Sequence, residues 1–266
     1  MPCRSDDVGA VTGCNLSLAC IFWAMTLPRN RTPLNRSTFT LTVLIPVYNE
    51  RDTIESIIDS VRASPIRTEI IVVNDSSTDG SREILERLAE AGRIDRLFHQ
   101  PHNQGKGAAI RKALELSTGD VVIVQDADLE YDPADWPVLL EPILDGKADA
   151  CFGSRFLGGP HRVLYFWHSV GNKVLTTFSN ALTNLNLTDM ETCYKAIRGD
   201  LARKLQPDLK SDRFGFEPEI TARLAKARAR IFEVPVSYSG RTYAEGKKIN
   251  WKDGVAAFWH IFRFSL

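Results

Sequence analysis

From residue 41 onward, short β-branched apolar runs alternate with stretches in which apolar residues recur every three or four positions. The strand-like runs are 41–47, 69–73, 96–99 and 121–125, and each is followed by a helical period, at 53–62, 81–91, 107–116 and 134–144. A further strand at 149–156 leads into a longer helix at 165–182, where Phe166, Trp167, Val170, Val174, Leu175 and Phe178 mark one face. The alternation then fades, and the rest of the chain predicts a helix at 216–228, a strand at 230–238 and a closing helix at 251–264. Strands regularly separated by helices predict an α/β fold with a doubly wound, mainly parallel sheet, whose ligands bind beyond the carboxyl ends of the strands.

A chain of 266 residues fits one large domain with peripheral additions. Lys plus Arg and Asp plus Glu balance at 33 each, so no overall field favours nucleic acid, and no nucleic-acid partner is expected. The cysteines are odd in number and lack metal-type spacing, as expected of a chain facing the cytosol. Residues 8–28 imitate a targeting segment, but their dense apolar part is too short to span a bilayer and Arg29 and Arg31 follow it. They read as a poorly ordered leader, 1–37, with Met25 as an alternative start. The main domain is expected at 38–248 and an amphipathic helix at 249–266. In that helix Trp251, Val255, Phe258, Trp259 and Phe262 recur at helical spacing beside Lys252 and Arg263, a pattern shared by membrane-interfacial helices and by helices packed on a sheet.

The chemistry concentrates at strand ends. Asp126 and Asp128 close the fourth strand with one residue between them, and in an extended segment both carboxylates would point the same way, toward one hard divalent cation. Two solvated aspartates produce the same pattern. Pro46 and Tyr48 are placed to flank a flat ring, and Glu50 and Asp75 to accept hydrogen bonds from its N–H groups, although Asp75 and Asp79 also suit a helix cap. Lys106, flanked by Gly105 and Gly107 at a helix start, suits an anion. It is neither a Rossmann fingerprint nor a Walker loop, because Ile110 replaces the third glycine and no Ser or Thr follows the lysine. Asp75, Ser77, Asp79, Gly80 and Glu86 fall at calcium-loop positions, but a strand precedes them where an EF-hand needs a helix. Arg155 and Arg241 lie in loops after strands, as phosphate ligands do, with Lys247 and Lys248 following Arg241. Glu191, Glu217 and Glu219 are the remaining carboxylates near apolar residues, open to roles as base, metal support or arginine partner.

The motifs Ile-Pro-Val-Tyr-Asn-Glu (45–50), Asn-Asp-Ser-Ser-Thr-Asp-Gly (74–80), Asn-Gln-Gly-Lys-Gly (103–107), Asp-Ala-Asp-Leu-Glu (126–130), Gly-Ser-Arg-Phe (153–156) and Glu-Val-Pro-Val-Ser-Tyr-Ser-Gly-Arg (233–241) occur in this order. Together, over about 40–260, they resemble the nucleotide-sugar glycosyltransferases of family 2, with the GT-A fold, and within them most nearly the dolichyl- or polyprenyl-phosphate mannose synthases. The resemblance implies that Pro46, Tyr48, Glu50 and Asp75 hold the base and ribose, with Lys106, Asp126 and Ala127 completing the donor-nucleotide site. It implies that Asp126 and Asp128, with Glu130, hold Mg²⁺ or Mn²⁺, and that Arg155 and Arg241 meet the acceptor phosphate or donor diphosphate. Related synthases can carry an extra arginine in the helix where this chain has His168-Ser169-Val170-Gly171, so either His168 or Lys173 stands in on the acceptor phosphate or the acceptor is held differently.

The implied reaction is inverting transfer of mannose from GDP-mannose to a polyprenyl phosphate. Its catalytic set is Asp126, Asp128, Arg155 and Arg241, with Glu191 as base if the acceptor is a sugar hydroxyl. Transfer from UDP-glucose to a lipid phosphate or to a soluble saccharide, nucleotidyl transfer, and non-catalytic binding of a nucleotide sugar remain open at this point. The expected location is cytoplasmic, peripheral on the cytosolic face of a membrane.

Overall fold

The structure, a computed structural model, describes residues 31–163, 165–242 and 251–266, without the side chains of 251–253. The expected leader up to residue 30, Met25 included, lies outside the described residues, as do Lys247, Lys248 and the side chains of Trp251 and Lys252.

The described residues form one seven-stranded sheet in the order β3-β2-β1-β4-β6-β5-β7. β1 (Leu41–Val47), β2 (Thr68–Asn74), β3 (Arg96–His99) and β4 (Val121–Val124) run parallel. β5 (Ala150–Ser154) pairs in parallel with β7 (Ile231–Pro235), and β6 (Lys195–Arg198) runs antiparallel between β4 and β5. Eight α-helices among the described residues flank the sheet: α1 (Ile54–Ala63), α2 (Ser81–Glu90), α3 (Lys106–Leu116), α4 (Trp136–Leu144), α5 (Phe166–Thr183), α6 (Gly199–Leu205), α7 (Phe216–Lys226) and α8 (Trp251–Ser265). The central strands are buried on both faces, which explains their nearly continuous Val, Ile and Leu content.

β6 and α6 are the elements that the sequence pattern missed. Lys-Ala-Ile-Arg has no strand-like alternation; its burial comes from lying between β4 and β5. Residues 31–37, grouped with the leader on sequence, are tied to the domain: Arg31 Nε lies 2.6 Å from Asp149 and the Leu34 amide donates to the Leu144 carbonyl at 2.9 Å.

α8 shows both faces of its amphipathic pattern. Ala257, Ile261 and Phe264 are buried against α5 and α7, and Phe258 meets Phe178 of α5 with ring centres 5.6 Å apart. Val255, Trp259, Phe262 and Leu266 remain exposed on the opposite ridge. None of the described helices is long and apolar enough to cross a membrane.

Candidate active site at the carboxyl edge of the sheet

The loops after β1 and β2 are fastened to each other before any ligand enters. The Asn49 amide donates to Ser77 Oγ at 3.0 Å, Asn49 Oδ1 accepts from the Thr78 amide at 2.8 Å, and the Glu50 and Arg51 amides donate to Ser81 Oγ and Asp79. Asn49 and Ser76 adopt left-handed backbone, φ 52° and 61°, to make these turns.

Asp75 is 2% exposed, and its carboxylate accepts from Gln100 Nε2 at 3.0 Å and from the Gln104 and Gly105 amides at 2.7 Å each. What it holds directly is the loop that opens α3. Tyr48 is exposed at the same edge and Pro46 half-buried behind it.

Lys106 was expected at a phosphate cradle, and its glycines have a different cause. A Cβ on Gly105 would lie 2.4 Å from the Asp212 carbonyl, and one on Gly107 would lie 2.3 Å from that of Ser211, so both positions serve close backbone packing. The Lys106 side chain lies between two carboxylates, 2.9 Å from Asp126 and 2.9 Å from Glu217. Burial works against its charge, but these two neighbours outweigh burial and hold its pKa well above the ordinary value.

β4 ends at Val124, so Asp126 and Asp128 sit in the turn that follows rather than on an extended segment. They are 20% and 23% exposed, with a separate cation beside each: Lys106 at Asp126, and Arg241 Nη2 at 3.6 Å from Asp128. Ala127 between them is buried. Leu129 is left-handed, φ 61°, and the Glu130 amide donates back to Asp128 Oδ1 at 3.1 Å.

Expected as a third metal ligand, Glu130 instead latches the loop after β7: its carboxylate accepts from the Arg241 amide at 2.7 Å and from the Tyr238 hydroxyl at 2.8 Å. Arg241 is thereby aimed across the site, with Nη2 3.1 Å from Glu50. Among the described residues no group of three metal-ligating side chains is assembled.

Arg155, expected to face phosphate, is committed inside the protein. Nε and Nη2 donate to Asp189 at 2.6 and 2.7 Å, and Nη2 also reaches Asn172 Oδ1 at 3.3 Å. Asn172 Nδ2 donates to Asp189 at 3.1 Å, closing the triangle. Burial opposes the Arg155 charge, but Asp189 outweighs it and keeps the guanidinium pKa well above its usual value; burial likewise opposes the Asp189 charge and Arg155 overcomes it. The guanidinium lies 5.1 Å from the Tyr238 ring, so this unit abuts the loop that carries Arg241. His168 is one turn before Asn172 on the same face of α5, whereas Lys173 lies on the next face; both are exposed.

Glu191 is half-buried. One of its carboxylate oxygens is buried with no hydrogen-bond partner, and burial followed by the nearby Glu217 charge pushes its pKa up to about 7. Lys195 is buried nearby, donating to the Thr192 carbonyl, and burial lowers its pKa. Asn172 and Asp189 are the site residues that sequence reasoning missed. The signal was present in Asp189-Met-Glu-Thr, where attention went to Glu191.

The two turn carboxylates fit a divalent cation. Both are hard oxygen donors with part of their surface open, and Mg²⁺ commonly binds one or two carboxylates together with substrate phosphate oxygens.

The family model for glycosyl transferase family 2 matches residues 42–206. An undecaprenyl-phosphate mannosyltransferase of Micrococcus luteus is 30% identical over 77% of this chain and 85% of its own length. A polyprenol monophosphomannose synthase of Mycolicibacterium smegmatis is 30% identical over 77% and 79% respectively. In fold, glucosyl-3-phosphoglycerate synthase of Mycobacterium tuberculosis, crystallised with Mn²⁺ and UDP, superposes with a TM-score of 0.63 at 20% identity, covering 85% of this chain and 78% of that one. Mannosyl-3-phosphoglycerate synthase of Rubrobacter xylanophilus gives 0.63 at 18% identity, over 85% and 72%. The chain therefore belongs to glycosyltransferase family 2 and is a glycosyltransferase with a GT-A fold.

Proposed function

We propose that this enzyme transfers mannose from GDP-mannose to a polyprenyl or dolichyl phosphate with inversion at the anomeric carbon, on the cytosolic face of a membrane. The observation that carries this reading is an apolar rim beside a charged centre. Phe156 and Leu157, beside Arg155, and Phe166 and Trp167, at the start of the helix whose Asn172 meets Arg155, are exposed, and the Arg155 unit abuts the Tyr238–Arg241 loop and through it the Asp128 turn. A lipid phosphate needs both surfaces. The names of the two mannosyltransferase relatives support the same acceptor class.

In this mechanism Asp126 and Asp128 would hold Mg²⁺ or Mn²⁺, which supplies stabilisation of the charge growing on the leaving diphosphate. Lys106 and Arg241, each beside one of these aspartates, add fixed positive charge to the same region. Tyr48 and Pro46 form the surface against which the base stacks, and Glu50 orients Arg241. Arg155 keeps the acceptor loop in place through Asp189 and Asn172, leaving His168 and Lys173 exposed on the acceptor side. A phosphate monoester with a second pKa near 6 is already anionic at neutral pH, so attack needs no strong base.

A second reading, transfer to a sugar hydroxyl, is favoured by one observation: the Glu191 carboxyl, with one unpartnered oxygen and a pKa of about 7, suits a general base. Incubation with labelled GDP-mannose and UDP-glucose, each with short-chain polyprenyl phosphate or a soluble saccharide, separates the two. An organic-extractable, acid-labile product from GDP-mannose is expected. A water-soluble glycoside, or product from UDP-glucose alone, contradicts the proposal.

A further inference from the structure

Away from the sheet edge, Lys210, Arg223, Lys226 and Arg263 line a cavity of about 160 Å³ bounded by Phe264. Arg223 and Lys226 occupy the second half of α7 and Arg263 the last turn of α8. At 1.5 Å per residue, Lys226 is about 13 Å along α7 from Glu217, which belongs to the catalytic edge.

The cavity carries more positive charge than its one neighbouring carboxylate offsets. Glu219, the carboxylate paired with Arg223, is fully buried and already accepts from the Lys210 amide at 3.0 Å and the Ser211 amide at 2.7 Å as well as from Arg223 at 3.4 Å. Arg223 Nη2 also donates to the Asp208 carbonyl at 2.7 Å, while its Nε is buried without a partner. Among the described residues, Lys210, Lys226 and Arg263 form no ion pair. The negative ends of the α7 and α8 dipoles favour Lys226 and Arg263, and Arg263 also lies 5.3 Å from the Phe264 ring, but none of these satisfies the orphaned Arg223 Nε.

Beside the cavity runs the exposed ridge of α8, Val255, Trp259, Phe262 and Leu266, with Arg263 one position round from Phe262. An apolar ridge bordered by unpaired cations complements a bilayer surface carrying negative headgroups, whereas the same face on a second copy would repel it.

We propose that this cavity receives the phosphate of an anionic phospholipid while the α8 ridge enters the bilayer interface. This rests on the peripheral-membrane reading above and adds the lipid class that fixes the enzyme there. The test is co-sedimentation of the full chain with phosphatidylcholine vesicles, with and without phosphatidylglycerol, for the wild type, Lys226→Gln, Arg263→Gln and Trp259→Ala. Binding to the anionic vesicles alone is expected. Each neutralisation should lower it about fivefold and the pair roughly 30-fold, with transfer to soluble short-chain polyprenyl phosphate unchanged. Trp259→Ala should weaken binding while keeping the anionic preference.

Equal binding to both vesicle types, or neutralised variants that bind as the wild type does, would overturn the headgroup site and leave membrane attachment standing. Absence of binding to either vesicle would remove both. Thermal stabilisation by inorganic phosphate without vesicle binding would make the cavity a soluble-anion site and also overturn the proposal.

Discussion

Replacing Glu191 with glutamine tests the electrostatics of the site interior. In the folded protein the Glu191 carboxyl has a pKa of about 7 against an ordinary 4.5, because burial and the Glu217 charge both disfavour ionisation. A raised carboxyl pKa means that the native state binds the proton more tightly than the unfolded chain. The associated stability is therefore fully present below pH 4.5 and is lost as the pH rises through about 7. At about 1.4 kcal/mol per tenfold change, ionised Glu191 costs roughly 3 kcal/mol by pH 8. A neutral amide at this position carries no such penalty, so Glu191→Gln should gain about 2.5 kcal/mol on the wild type between pH 5 and pH 8, whatever its offset at pH 5. Urea unfolding at pH 5, 6.5 and 8 reads this directly. Parallel stability curves for the two proteins would refute the assignment. The same variant separates the acceptors: a general base for a hydroxyl contributes about 10²–10⁴-fold to kcat, whereas transfer to a lipid phosphate should fall by less than about tenfold.

Arg155→Ala leaves Asp189, with a side chain 0% exposed, without its bidentate partner, and should cost about 3–5 kcal/mol in urea unfolding; a loss below about 1 kcal/mol would show that the pair is not the anchor described. Glu130→Ala removes the acceptor of the Arg241 amide and Tyr238 hydroxyl. It should lower kcat/KM at least tenfold, as expected for lost charge-assisted bonds, with Mn²⁺ affinity nearly unchanged in calorimetry; a large drop in metal affinity would return Glu130 to the metal. Gly107→Ala sets a methyl 2.3 Å from the Ser211 carbonyl and should destabilise by about 1–3 kcal/mol, read as a lower melting temperature; an unchanged one would contradict the close packing.

The parallel half of the sheet was legible because buried strands such as Leu41–Val47 carry their burial in composition and are bounded by helices with clear periods. β6 was not, since Lys195 and Arg198 are polar and its place is set by neighbours distant in sequence. The candidate site residues were legible at strand ends, and their partners were not. That Lys106 bridges Asp126 and Glu217, that Arg155 is held by Asp189 and Asn172, and that Glu130 latches Arg241 are all contacts between loops. Spacing along one strand also misled for Asp126 and Asp128, because β4 stops at Val124 and both lie in the turn that follows.

The central claim is that Asp126 and Asp128 hold a divalent cation that anchors the donor diphosphate. Calorimetric titration of GDP-mannose into the wild type and into Asp128→Asn, each with Mn²⁺ and with EDTA, tests it most directly. The account predicts Mn²⁺-dependent binding in the wild type that EDTA abolishes and that Asp128→Asn weakens at least tenfold. Binding of equal strength in EDTA, or undiminished metal-dependent binding in Asp128→Asn, would contradict it.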